Sequence, residues 1–209
     1  MIILIPVLGV LFILVPIILV TRPYEYNYNI DEEEGMNNIV SKVKELSEDK
    51  LLYEIEIKTR PEQRDMDYLN LSVIDITNGM KSEIMYNRSG AFFPSVKRKE
   101  RDTSITKGID ISILSNCLGY IEDCKKLIPE DYQYRHTEYI LINPLGIYIR
   151  FAVAQEDKNN IKKNESVYTK TYKKQSLSGA GRRARQITTS YKYYMIDFKI
   201  DKSGKISIE

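Results

Sequence analysis

The strongest constraint on this chain is an uninterrupted apolar run at its N-terminus. Residues 2–20 read IILIPVLGVLFILVPIILV and contain no charged or polar side chain. A helix needs about 20 such residues to cross the hydrocarbon core of a bilayer, and helices packed in a soluble core are seldom apolar on every face. The sequence therefore predicts a transmembrane anchor over residues 1–22.

A cleaved signal peptide is the main alternative for this run. Signal peptides have a basic n-region, an apolar stretch of about 7 to 15 residues and a small-residue cleavage site, and the sequence shows none of these features. Pro6 and Pro16 allow a kinked anchor or one that packs against a partner helix. Only the N-terminal amine and Arg22 flank the run, so charge gives little information on orientation. We expect an extracytoplasmic domain, because anchors with almost no preceding tail commonly arise from uncleaved signal sequences.

The rest of the chain has the length and composition of one folded domain. A domain most often has about 100 to 150 residues, and 43% of the 209 residues are hydrophobic. Residues 23–35 are largely polar and contain four consecutive acids at 31–34, which predicts a tether that leads to a helix N-terminus. The predicted organisation is an anchor over 1–22, a polar tether over 23–35 and a soluble domain over 36–209.

Hydrophobic periodicity predicts two helices and several strands in the domain. Apolar residues recur every three or four positions over 36–46 and again over 110–127, as on one face of a helix. Alternation of apolar and polar residues is typical of strands that cover a core on one face only. The predicted strands are 52–58, 69–76, 80–86, 134–142, 147–154, 187–200 and 205–208.

Short turns join most of these strands, while residues 88–108 are predicted to form a long loop. Asn78 and Gly79 supply the positive φ angles that a tight hairpin requires, and residues 143–146 have the composition of a turn. Neighbouring strands joined by short turns form antiparallel sheets. The fold class predicted is α+β, with two helices packed on one face of an antiparallel sheet.

Charge is unevenly distributed along the chain. The formal charge is only +2, which argues against binding of nucleic acid, but residues 158–185 contain nine basic residues and one acid. A basic flexible loop at about 158–186 is predicted, because these residues offer little apolar surface to bury. Its expected ligand is an acidic partner protein or anionic lipid headgroups. The candidate contact residues are Lys173, Lys174, Arg182, Arg183 and Arg185.

Motifs for cofactors and metals are weak in this sequence. Residues 179–181, Gly-Ala-Gly, precede a strand, whereas phosphate-binding glycine loops lead into a helix. Cys117 and Cys124 lie seven residues apart on the second predicted helix, about 10 Å apart at 1.5 Å per residue, which is too far for a disulfide. Their spacing does not match zinc ligands. No cofactor and no metal are expected.

These features favour a binding role over a catalytic one. We expect a single-pass, membrane-anchored domain that binds another protein, which can itself be membrane-embedded, as in an accessory subunit of a secretion system. The first alternative is a membrane-tethered immunity-type inhibitor of a toxin. The second is a hydrolase that uses His136 and Glu138, which strand alternation places with Tyr134 on one face, because a histidine and a carboxylate can transfer protons.

Overall fold

The structure is a computed structural model that describes residues 27–60, 63–87, 95–101, 107–155, 166–178 and 185–209. The predicted anchor over 1–22 lies outside these residues and stays a prediction. Within the described ranges, neither helix is long and apolar enough to cross a membrane.

The described residues form two helices and nine strands. The helices are α1 (Glu33–Leu46) and α2 (Ser112–Lys125). The strands are β1 (Lys50–Arg60), β2 (Gln63–Asp75), β3 (Met80–Asn87), β4 (Ser95–Arg101), β5 (Tyr132–Asn143), β6 (Gly146–Gln155), β7 (Tyr168–Ser178), β8 (Arg185–Ile200) and β9 (Ile206–Ile208).

All described strands join one antiparallel sheet. Its order is β4-β3-β2-β1-β5-β6-β8-β7, and β9 pairs with the last residues of β8. The pairing between the strands that are most distant in sequence is β1 with β5, in which Ile57 lies opposite Ile140. This pairing joins the N-terminal hairpins to the C-terminal hairpins.

A single hydrophobic core lies between one face of the sheet and the two helices. Alternate residues of the central strands, such as Ile55, Leu71 and Phe151, are fully buried and belong to the same cluster as Ile39 of α1 and Ile121 of α2. The apolar residues that alternate along the strands and those that recur every 3.6 residues along the helices therefore pack into one core. The predicted α+β class, with an antiparallel sheet and two helices on one face, is confirmed.

Two segments predicted as loops contain strands. Strand β4 lies within residues 88–108 and pairs with β3, and strand β7 lies within the predicted basic loop over 158–186 and pairs with β8 along its whole length. The loop prediction is wrong for the residues of these two strands. Each strand is a polar edge strand, so it lacks the alternation that a buried face produces.

The β2–β3 turn differs from the tight hairpin predicted at Asn78 and Gly79. Gly79 has the expected positive φ of 69°, but Asn78 does not share it. The amide of Gly79 donates to the carbonyl of Asp75 at 2.8 Å, which closes a longer loop. The Asp75 carboxylate accepts further hydrogen bonds from the amide of Thr77 and the side chain of Asn78, so a side chain organises this turn.

The described part of the predicted tether is docked on the domain. Tyr28 and Ile30 are buried, and the carbonyl of Tyr28 accepts a hydrogen bond of 3.0 Å from the amide of Met66. The Asp31 carboxylate accepts hydrogen bonds from the hydroxyl of Tyr134 and the amide of Thr137. We call residues 27–32 the N-terminal arm, which is part of the folded unit and not a solvated linker.

Candidate functional site

The face of the sheet opposite the helices, here called the open face, carries polar and aromatic side chains. No described helix lies on this face, because both contribute to the core on the other side. One row of cross-strand neighbours crosses β2, β1, β5, β6 and β8. It consists of Tyr68, Lys58, Tyr139, Arg150 and Asp197.

Arg150 is the centre of the open face. Its Nε lies 2.6 Å from Oδ1 of Asp197 and its Nη2 lies 3.1 Å from Oδ2, a bidentate pair. The hydroxyl of Tyr168 donates to the same carboxylate at 3.1 Å, and the guanidinium lies 5.5 Å from the ring centroid of Tyr139. The hydrogen bond to Asp197 raises the pKa of Arg150 further, and burial with the Asp197 charge raises the pKa of the Tyr168 phenol.

A β-bulge brings Glu138 to this cluster. Thr137 pairs with Phe151 and Tyr139 pairs with Arg150, so the extra residue Glu138 has no opposite neighbour on β6. Its side chain is 0% exposed, and its Oε1 lies 3.0 Å from Nζ of Lys170, while its Oε2 lies 3.9 Å from Nε of Arg150. Burial of a carboxylate is costly unless a cation and hydrogen bonds compensate it. Lys170 supplies a cation and a hydrogen bond to Oε1, and Arg150 adds a second positive charge near Oε2.

A second carboxylate, that of Glu56, interacts with one tyrosine on β2 and one on β5. Oε1 of Glu56 accepts a hydrogen bond of 2.9 Å from the hydroxyl of Tyr68. Burial, and then the Glu56 charge, raise the pKa of Tyr139 to about 12, and burial with the hydrogen bond to Glu56 raises that of Tyr68. Both phenols are therefore protonated at neutral pH and can donate hydrogen bonds.

The structure keeps His136 and Glu138, the residues of the predicted hydrolase site, on the open face, but it places Tyr134 on the other face. A bulge between Tyr134 and His136 turns Tyr134 to the helix side, where its ring packs on Phe151 at 4.9 Å, while His136 pairs with Ala152 on the open face. The prediction that Tyr134 shares a face with His136 and Glu138 is wrong, because alternation ignores bulges. His136 is 6% exposed, so substrate has little access to it.

The environment of His136 disfavours its charged form. Burial lowers the pKa of His136, although the charges of Asp31 and Glu138 oppose this effect. Its Nε2 has no hydrogen-bond partner among the described residues. A general base needs to be within hydrogen-bond reach of the proton that it takes. The arrangement on the open face suits recognition through paired charges and phenols better than proton transfer.

Metal ligands and reactive thiols are not brought together in the described residues. No group of three or more His, Cys, Asp or Glu side chains there could hold a metal ion. Cys117 and Cys124 are both buried on α2 and are not paired, as their spacing predicts. Burial raises the pKa of each thiol to about 12, which makes both poor nucleophiles.

Three of the five predicted basic contact residues lie in strands β7 and β8. Lys173 and Lys174 lie on β7, and Arg185 begins β8. Their side chains, and Arg182 and Arg183 entirely, lie outside the described part of the structure. The sequence analysis did not identify Arg150, Asp197 or the other members of the open-face cluster. The sequence did contain a signal for this pair. Arg150 and Asp197 have opposite charges and occupy polar positions of two predicted strands.

Comparison with known proteins gives no family and no relative for this chain. No protein family matches the sequence, no curated protein matches it, and no solved structure matches the fold.

Proposed function

We propose that this protein is a single-pass, membrane-anchored and non-catalytic domain that binds another protein through the open face. It acts as an accessory subunit of a membrane-associated assembly such as a secretion system. The anchor is the apolar run over residues 2–20, and the domain is on the extracytoplasmic side. The partner is a protein in or near the same membrane.

The open face is the observation that carries this proposal. Its tyrosines and arginine are residue types that are enriched at protein interfaces, where rigid amphipathic side chains bury area at low entropic cost. Arg150 is held by Asp197 and flanked by Tyr139 and Tyr168. Side chains fixed in this way lose little further freedom on binding.

Two alternatives predict different behaviour. An immunity-type inhibitor would also use a preorganised face, but its anchor would be isolated and its complex would form only with the toxin. A hydrolase using His136 and Glu138 is less favoured, because His136 is 6% exposed and Glu138 is 0% exposed. Ion pairing with Lys170 further occupies the Glu138 carboxylate.

The test is photocrosslinking of the full chain in its own membranes. A photoreactive amino acid at Tyr148 or Leu141, both on the open face, should give a discrete adduct with one partner. The same amino acid at Asn116 or Glu122, exposed on α2, is the matched control and should give none. Carbonate washing should leave the full chain with the membrane.

Three results are informative. Adducts of equal yield from both sides of the domain would contradict binding through the open face. Release of the chain by carbonate would contradict the anchor. A stable complex after detergent extraction favours the subunit, whereas a lone monomer without open-face adducts favours the inhibitor.

A further inference from the structure

The β7–β8 hairpin extends beyond the rest of the sheet. Pairing of β6 with β8 ends at Val153 opposite Tyr194, whereas β7 and β8 continue to pair as far as Ser178 opposite Arg185. We call residues 170–178 and 185–193 the ribbon. At about 3.3 Å per residue, its nine residues of β8 reach about 30 Å past the last β6 pair.

The N-terminal arm joins the domain at the same end of the sheet. Tyr28 bonds to Met66, and Met66 pairs with Thr59 near the end of β1. The hydroxyl of Thr59 donates to the carbonyl of Thr137 at 3.0 Å, and Thr137 lies opposite Phe151, in the half of β6 that leads to its C-terminal residue Gln155. The chain therefore enters the fold at the end from which the ribbon projects.

Chain length ties this end of the domain to the anchor. The inference rests on the proposed anchor over residues 1–22, which leaves four residues, 23–26, before the docked arm begins. The five Cα–Cα steps from residue 22 to residue 27 span at most about 18 Å. The end of the sheet that carries the arm must lie within that distance of the anchor, and the ribbon is longer than the gap.

The ribbon strands are also uniformly basic. Residues 168–178 and 185–195 contain five Lys or Arg and no Asp or Glu. Lys170 is bound to Glu138, while the others are Lys173, Lys174, Arg185 and Lys192. An isolated two-stranded hairpin is marginally stable in water, so such a ribbon gains stability from a surface on which it can lie.

We propose that the ribbon docks on the anionic headgroups of the bilayer that holds the anchor. The domain then has two attachments to the membrane at one end, the arm and the ribbon, which fix its orientation. Each basic residue near an anionic surface strengthens such docking by about fivefold.

The experiment measures the distance of the ribbon from lipid in the full chain. The chain is reconstituted in nanodiscs of phosphatidylcholine, with or without phosphatidylglycerol, and a fluorophore at Ser176→Cys transfers energy to a headgroup-labelled lipid. Cys117 and Cys124 are buried and stay unlabelled. Transfer should be high only with phosphatidylglycerol and should fall at about 1 M salt, where the screening length is about 3 Å instead of about 10 Å at 0.1 M.

Two controls isolate charge and position. Replacing Lys173, Lys174 and Arg185 by Gln should weaken docking by about 100-fold, at about fivefold per charge. The triple variant Lys107→Gln, Lys202→Gln and Lys205→Gln removes the same charge from exposed sites elsewhere and should not. A fluorophore at Ser203→Cys, in the turn after the other end of β8, should show no lipid dependence.

Each outcome decides the proposal. High transfer that is insensitive to phosphatidylglycerol, salt and the ribbon charges would overturn docking by charge, and low transfer in all discs would overturn docking altogether. Both results leave the anchor intact. Release of the chain from the membrane by carbonate would overturn the proposed anchor and the docking inference with it.

Discussion

The two faces of the sheet are built from the same strands, but their side chains are held in place by different interactions. On the helix side, side chains such as Ile57, Leu71 and Phe198 are fully buried and stabilise the fold by removing apolar surface from water. On the open face, Arg150 and Glu138 are fixed by directional ion pairs and hydrogen bonds. One face therefore stabilises the fold mainly by burial, and the other presents polar side chains in fixed positions.

The largest expected effect comes from a matched pair of substitutions on β6. Phe151 is fully buried and packs on Phe198 at 5.1 Å between ring centroids, so Phe151→Ala should lower the free energy of unfolding by about 3 to 5 kcal/mol. Tyr148 is partly exposed on the open face, and Tyr148→Ala should cost less than about 1 kcal/mol. Chemical denaturation of the purified chain measures both. Similar losses would contradict the distinction between the two faces.

A second prediction concerns the arm that closes the helix side. A Cβ at Gly35 would overlap the backbone of Asn29, with its nitrogen only 2.6 Å away, so Gly35→Ala should displace the arm and cost about 1 to 3 kcal/mol. Gly119 on α2 has open space around it, and Gly119→Ala should stabilise by about 0.5 to 1 kcal/mol. Equal changes in the free energy of unfolding for Gly35→Ala and Gly119→Ala would show that the arm is not docked.

Sequence patterns predicted the helix side well because burial leaves a periodic signal. Strands β1, β5 and β6 alternate, and the two helices repeat apolar residues every three or four positions. Edge strands β4 and β7 were missed because they are polar on both faces and are held by backbone pairing to a longer neighbour. Lysines on such edges discourage pairing with other chains, and in a sequence they resemble a loop.

The candidate site was less predictable because bulges and distant contacts create it. Two bulges in β5 change which face Tyr134, His136 and Glu138 occupy, and no alternation rule locates a bulge. Asp31 bonds to residues more than a hundred positions away. The polar composition of residues 23–35 therefore gave no indication that the arm is docked.

A smaller effect is expected at the centre of the open face. Arg150→Lys keeps the charge but loses the bidentate geometry with Asp197, and it should cost about 1 kcal/mol of stability. A double-mutant cycle with Asp197→Asn isolates the pair. If the open face is a binding surface, Arg150→Lys should also reduce the yield of crosslinks from a photoreactive amino acid at position 141. The reduction should be larger than the loss of folded protein accounts for. An additive cycle would show that the pair contributes nothing.

The smallest expected effect is a pH dependence that only the open face can produce. Burial lowers the pKa of His136 below its ordinary value of 6.5, so near that pH the unfolded chain binds more protons than the folded chain. The stability associated with neutral His136 is present above pH 6.5 and is lost as pH falls toward the lower folded pKa.

His136→Gln removes this titration while keeping a polar side chain. Asp31 and Glu138 favour the charged form, whereas burial and the charges of Arg64 and Arg135 disfavour it. The difference in unfolding free energy, wild type minus variant, should therefore decrease from pH 7.5 to pH 5.5, by at most about 1.4 kcal/mol per pH unit. A difference that increases toward acid would mean that the two carboxylates dominate and that His136 is charged in the folded protein.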